Sequence, residues 1–99
     1  MEKDEIIKIA IDQEERLLVK PKLKSFPYMY REAMEVHWDN EGKFLYSPKP
    51  KKWSYLDWYA QILKAAKEQS CLLSITDGKE WVNIPKELKD EILNYNASP

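Results

Sequence analysis

Glycine is nearly missing from this sequence, with only Gly42 and Gly78, and Cys71 and His37 are each the sole residue of their type. Phosphate-cradling loops need clustered glycines, so a P-loop and a dinucleotide fingerprint are both excluded. A structural zinc site takes about four Cys, His or carboxylate ligands, which one thiol and one imidazole do not supply. A lone cysteine closes no internal disulfide, in keeping with a reducing compartment. No stretch approaches ~18 consecutive apolar residues, so no membrane span is expected. The acidic start, Glu2 to Glu5, is unlike the basic and then apolar start of a secretory signal. An excess of one charge is absent too: 16 Lys and Arg stand against 17 Asp and Glu, a net charge of −1. Nucleic-acid binders usually carry a basic surplus, so neither nucleic acid nor membrane is expected as a partner. These absences predict a cytoplasmic protein with no metal and no cofactor.

What is present suffices for one domain. The chain has 99 residues, 43% hydrophobic and 33% charged, enough for a single core without staples. Ile6–Asp12 is rich in β-branched residues, with Ile7, Ile9 and Ile11 on one face. Gln13-Glu14-Glu15 makes a polar turn, and Arg16–Lys20 returns to complete a hairpin. Pro21 lacks a backbone donor, so the second strand ends there or lies on an edge.

Residues 28–36 contain helix formers, yet the better pattern is alternation. Tyr30, Glu32, Met34, Val36 and Trp38 share one face of a strand. Asp39–Lys43 then turns, with Gly42 suited to a left-handed residue, and Phe44-Leu45-Tyr46 runs back as a second hairpin.

Ser54 with Asp57 three residues on is an N-cap signature for a helix reaching about Gln69. Its apolar positions cover more than half the circumference, leaving Asp57, Gln61, Lys64 and Glu68 on a narrow polar strip. Leu56, Tyr59, Leu63 and Ala66 suit a sheet. Trp58, Ile62 and Ala65 form a flank rotated by about 90° that needs a second cover. A second copy of the chain would cover it, making a homodimer or larger homo-oligomer. Within one chain, a last helix beginning at Pro85 and carrying Leu88 and Ile92 would do so instead. Cys71–Ile75 is a short apolar strand, Asp77-Gly78 a turn, and Trp81-Val82 a brief further pairing. The order β-β-β-β-α-β-α predicts an α+β fold: an antiparallel sheet of four to five strands with two helices, as a single domain over 1–99.

Two features carry the functional argument. One is the aromatic load, because Tyr and Trp with their polar tips suit pockets and interfaces as well as cores. Tyr28, Tyr30, His37, Tyr46, Trp53 and Trp81 are the candidate ligand- or partner-binding residues, and Trp58, Ile62 and Ala65 the candidate oligomer contact. The other is lysine placement. A plain up-and-down meander would bring Lys20, Lys22 and Lys24 to the same sheet edge as Lys49, Lys51 and Lys52. Edge protection explains such lysines, and an acidic partner is the alternative. Cys71 opens an apolar strand, where cysteine is ordinarily a small buried hydrophobe. No catalytic residue is assigned.

The runs Ala33–Asp39 (AMEVHWD), Lys43–Pro48 (KFLYSP), Trp53–Trp58 (WSYLDW) and Asn83–Leu88 (NIPKEL) resemble the small integron gene-cassette proteins of environmental bacterial DNA. The resemblance spans about Ile6 to Leu93. It implies a passenger gene of a mobile element, a compact α+β fold and frequent homo-oligomers, and it supplies no catalytic residues. The leading expectation is a non-enzymatic, self-associating binding module with an aromatic surface or pocket. Its rivals are an immunity or antitoxin protein, and a small enzyme built around His37 with Glu35 or Tyr46.

Overall fold

The computed structural model describes residues 2–27, 29 and 35–97. Strand β1 (Glu2–Ile11) and β2 (Leu17–Pro21) form the first hairpin, and β3 (His37–Asp39) with β4 (Phe44–Ser47) the second. Helix α1 (Tyr55–Glu68), strand β5 (Cys71–Val82) and helix α2 (Lys86–Ala97) complete the order β-β-β-β-α-β-α. Of the strand expected from residue 28, the described part is His37–Asp39; Tyr28 and residues 30–34 lie outside the described residues.

Local chemistry sets the hairpins. Asp12 closes the first turn, its Oδ1 accepting from the backbone N–H of Glu14 at 3.0 Å and of Arg16 at 2.9 Å. Its Oδ2 accepts from Arg16 Nε at 2.7 Å. In the second turn Asp39 Oδ1 accepts from the N–H of Glu41 and Gly42. Here Lys43, not Gly42, takes the left-handed conformation, at φ 59°. Glycine suits 42 for another reason: a Cβ there would lie 2.2 Å from the Phe44 ring, which would have to shift.

The five strands form a sheet in the order β3-β4-β2-β1-β5. All pairs are antiparallel except β1 with β5, which is parallel. Parallel partners need a crossover of a dozen or more residues, and α1 supplies it between β4 and β5. Strand β5 pairs in two stretches, Cys71–Ile75 with Glu2–Ile6 and Glu80–Val82 with Lys8–Ala10. Thr76–Lys79 stand opposite the single residue Ile7, so the expected turn at Asp77-Gly78 falls at this interruption, and Trp81-Val82 resume pairing. The same bulge shifts β1 against β2. It puts Ile6, rather than Ile7, on the core side with Ile9; Ile6 and Ile9 are fully buried while Ile7 is exposed.

The order is not a meander. The second hairpin is placed so that β4, not β3, lies beside β2. Because β2 and β4 are antiparallel neighbours, their C-terminal ends point opposite ways. The two lysine runs therefore stand at opposite ends of the sheet rather than at one edge.

Ile9, Val19 and Leu45 form a buried row on one sheet face, and both helices pack on that side. The cap on α1 is reciprocal: Ser54 Oγ accepts from Asp57 N–H at 3.1 Å, and Asp57 Oδ2 accepts from Ser54 N–H at 3.0 Å. The face of α1 turned inward carries Trp58, Tyr59, Ile62, Ala65 and Ala66. Burying side chains of this size is worth roughly 1.5–3 kcal/mol each for the large ones. Trp58, Ile62 and Ala65 are 7%, 0% and 1% exposed within one chain, so their own core covers the flank for which a second copy was the expected cover. The side of Leu56 and Leu63, expected to face the sheet, instead borders α2. Leu56 shares a cleft with Leu88, Leu63 lines another with Tyr95, and Tyr59 meets the Tyr95 ring edge-on at 5.8 Å.

Candidate functional site

After Ser47 ends β4, the chain runs Pro48-Lys49-Pro50-Lys51-Lys52-Trp53 before the Ser54 cap of α1. Proline at 48 and 50 removes two backbone donors and biases each preceding residue to extended geometry, so this stretch joins neither the sheet nor the helix. It stands instead as one wall of a cleft of about 450 Å³, lined by Glu35, Pro48, Lys49, Lys51, Lys52, Trp53, Trp58 and Gln61. That volume is in the range of small-molecule sites.

Two indoles shape the cleft. The Trp53 and Trp58 ring centroids are 4.9 Å apart with planes inclined by 50°. Trp53 is 46% exposed while Trp58 is rooted in the core, so the rings are respectively an open surface and a fixed base. The Trp58 Nε1 is buried and has no hydrogen-bond partner among the described residues. An unpaired buried donor costs about 1–3 kcal/mol, and such groups call for an explanation.

The polar groups around the indoles are mostly donors. Lys49 Nζ is engaged at 2.7 Å by Glu15, which raises its pKa through that hydrogen bond. Lys51 and Lys52 are exposed, and neither forms an ion pair among the described residues. Glu35 supplies the one carboxylate in the lining among the described residues. Tyr55, next to the cap, ties the region to the first hairpin by donating its hydroxyl to the Glu15 carbonyl at 2.9 Å.

The other lysine run is spent on structure. Asp4 accepts from the backbone N–H of Leu23 at 2.9 Å and Lys24 at 2.7 Å, and from Glu5 N–H at 2.9 Å. Burial pushes its carboxyl pKa up, but these bonds and the nearby Lys22 outweigh it and leave the pKa below the ordinary value. Lys22 faces Glu5 at 3.7 Å and Lys24 pairs closely with Glu2.

The candidate residues read from the sequence do not converge. Of the four described candidates Trp53 alone lines this cleft, and Tyr28 and Tyr30 lie outside the described residues. His37 and Tyr46 are cross-strand partners with rings 5.2 Å apart, on the sheet face away from the helices. The Arg16 guanidinium lies 4.7 Å over Tyr46. Glu35 lines the cleft on the helix side, so the carboxylate and imidazole of the expected His37 site are on different faces of the sheet. Trp81 packs against the core opposite Ile9, with the Lys79 and Lys89 ammonium groups 5.7 and 5.3 Å from its ring. The residues missed as ligand-binding candidates were Trp58 and Lys49–Lys52. Their signal was in plain view: two indoles five residues apart behind a lysine- and proline-rich run.

Among the described residues no helix is long and apolar enough to cross a membrane, and no group of three His, Cys, Asp or Glu side chains is placed to hold a metal. A family model described as Integron Cassette Protein Hfx_Cass5 matches residues 4–79. A solved structure titled "Structure from the mobile metagenome of North West Arm Sewage Outfall: Integron Cassette Protein Hfx_Cass5" is 42% identical. The match covers 99% of each chain, with a TM-score of 0.49. No curated protein matches the chain.

Proposed function

The chain belongs to the Hfx_Cass5 family of integron cassette proteins, and from that premise we propose that it is a non-enzymatic binding module whose ligand site is the Trp53–Trp58 cleft. One observation carries this reading: a buried indole N–H without a partner among the described residues belongs to a ring that lines a cleft of ligand size. Core tryptophans ordinarily find a partner for that group. Trp53 holds nearly half its surface open beside it, so a ring face is accessible to a ligand entering the cleft.

A thermal-shift screen of small molecules on the wild type and Trp53→Ala tests this. A ligand at about 100 times its Kd adds roughly 2.7 kcal/mol, a shift of several degrees for a domain of this size. Ligands that raise the wild-type Tm and leave Trp53→Ala unmoved support the cleft. Ligands that act equally on both proteins place the site elsewhere.

A second reading is self-association at edge strand β5. This strand ends the sheet order, so one side of its backbone has no strand partner among the described residues, a common template for pairing. Beside it Leu63, Leu72 and Tyr95 help line an open hollow of about 700 Å³ between α1, β5 and α2. A second copy laid there would bury apolar surface that the single chain leaves wet. Sedimentation equilibrium then gives twice the 11.8 kDa chain mass for the wild type and the chain mass for Leu72→Lys. A wild type that stays at the chain mass up to about 100 µM, far above a typical nanomolar-to-micromolar Kd, removes this reading.

A further inference from the structure

Resting on the cleft as the ligand site, we infer that its ligand is a flat aromatic anion: a ring system bearing a carboxylate, sulfonate or phosphate, held between the Trp53 face and the Lys51–Lys52 rim. The donors and acceptors in the lining argue this. Among the described residues three lysines, two tryptophans and Gln61 line the space, against one carboxylate residue, Glu35. Ammonium and indole groups donate and cannot accept. Only Lys49 among the three lysines is held by an acid among the described residues, through Glu15. The described lining is therefore positive, with the Lys51 and Lys52 ammonium groups unspent, and a ligand rich in acceptors and negative charge complements it.

The apolar part of the site sets the ligand's shape. Trp53 offers a ring face for stacking, and its 4.9 Å approach to Trp58 fixes that face relative to the core. A cleft of about 450 Å³ holds a ligand of one to three rings and is too small for a folded partner. Proline at 48 and 50 fixes two backbone φ angles in the segment that carries the lysines, so less ordering entropy is lost there when a ligand docks. Lys20, Lys22 and Lys24 offer a control within the molecule. They are as basic a run, but Lys22 and Lys24 are spent on Glu5 and Glu2, and no tryptophan lines the clefts beside them.

Two dyes that differ only in charge test the inference: 1-anilinonaphthalene-8-sulfonate and its uncharged counterpart N-phenyl-1-naphthylamine, titrated by fluorescence at low ionic strength. The sulfonate is expected to bind roughly tenfold tighter, as two exposed ion pairs allow. Lys51→Gln with Lys52→Gln should abolish that advantage and leave the uncharged dye within about twofold, while Trp53→Ala weakens both dyes. Lys20→Gln with Lys22→Gln should change neither. Equal binding of the two dyes, untouched by the Lys51/Lys52 double variant but weakened by Trp53→Ala, would overturn the anion inference and leave the cleft standing. Binding of neither dye would overturn the cleft with it. Displacement of the sulfonate by a short oligodeoxythymidylate would also overturn the inference, assigning the site to a nucleic-acid strand.

Discussion

Trp53 and Trp58 stand 4.9 Å apart across the cap of α1, one nearly half exposed and the other almost wholly buried. Their proximity follows from the reciprocal Ser54–Asp57 cap, which turns the chain sharply between them. The same pair of rings thus belongs to the surface at one end and to the core at the other, and substitutions should separate the two roles.

Trp58→Ala removes a large core side chain and should cost about 3–5 kcal/mol, enough to leave a small domain barely folded. Trp53→Ala should cost less than about 1 kcal/mol, since it deletes exposed surface. Urea denaturation followed by far-UV circular dichroism measures both. Similar losses from the two variants would show that Trp53 is part of the core. Trp58→Asp should unfold the chain rather than yield a folded monomer, because an unpaired charge would sit among Ile62, Ala65 and the sheet.

Acid should weaken the fold through Asp4 and Asp12. Each carboxyl pKa is lowered in the folded protein: burial opposes this, and the backbone N–H bonds, with the Arg16 guanidinium beside Asp12 and Lys22 near Asp4, together outweigh it. A carboxyl whose folded pKa lies below its unfolded value of about 3.9 stabilises the fold above that pH. The stabilisation is lost as pH falls from about 4 through the lowered folded value. Asp4→Asn should therefore cost about 1–2 kcal/mol at pH 7 and almost nothing near pH 2. Denaturation midpoints at the two pH values check the sign; an equal loss at both would mean that the charge of Asp4 is irrelevant.

Ser70 ends α1 in the left-handed conformation, φ 66°, while its N–H donates to the Lys67 carbonyl at 2.9 Å. Glycine adopts this geometry without a Cβ penalty. Ser70→Gly should raise stability by about 0.5–1 kcal/mol, and Ser70→Ala should not. Thermal melts of the three proteins decide it.

Cys71 is fully buried, and burial raises its thiol pKa. Reaction of the native protein with a disulfide reagent at pH 7.5 should be slow and should accelerate on adding urea, since the thiolate is the reactive form. Cys71→Ala should leave dye binding unchanged and cost about 1 kcal/mol. Labelling as fast as a free thiol would contradict its place in the core.

Much of the fold was legible because the responsible forces act over a few residues. The Ser54–Asp57 cap, the polar turn before Arg16, the start of α2 after Pro85 and the β-branched runs each report their own backbone. They sufficed for the element order, the α+β class and the burial of Cys71. The N-terminal lysine run could be counted in the sequence, but not its pairing with Glu2 and Glu5, which needs β1 and β2 in register.

What the sequence determined by itself was which segments become strands or helices, because capping, turn chemistry and side-chain periodicity act within one turn or one hairpin. Tertiary structure alone decided the order β3-β4-β2-β1-β5, the parallel pairing of β5 and the bulge that exchanges Ile7 for Ile6 on the core face. It also chose the buried side of α1. The apolar arc there is wide enough to rest on either flank, and α2 took the side of Leu56 and Leu63, leaving Trp58 and Ile62 to the sheet. The cleft followed from that choice: only with Trp58 turned inward does its ring meet Trp53 beside Lys51 and Lys52. Pattern in a chain reports how a segment is wound. Which neighbour covers each face depends on contacts between residues far apart in sequence, whose free energy exists only once the whole sheet has formed.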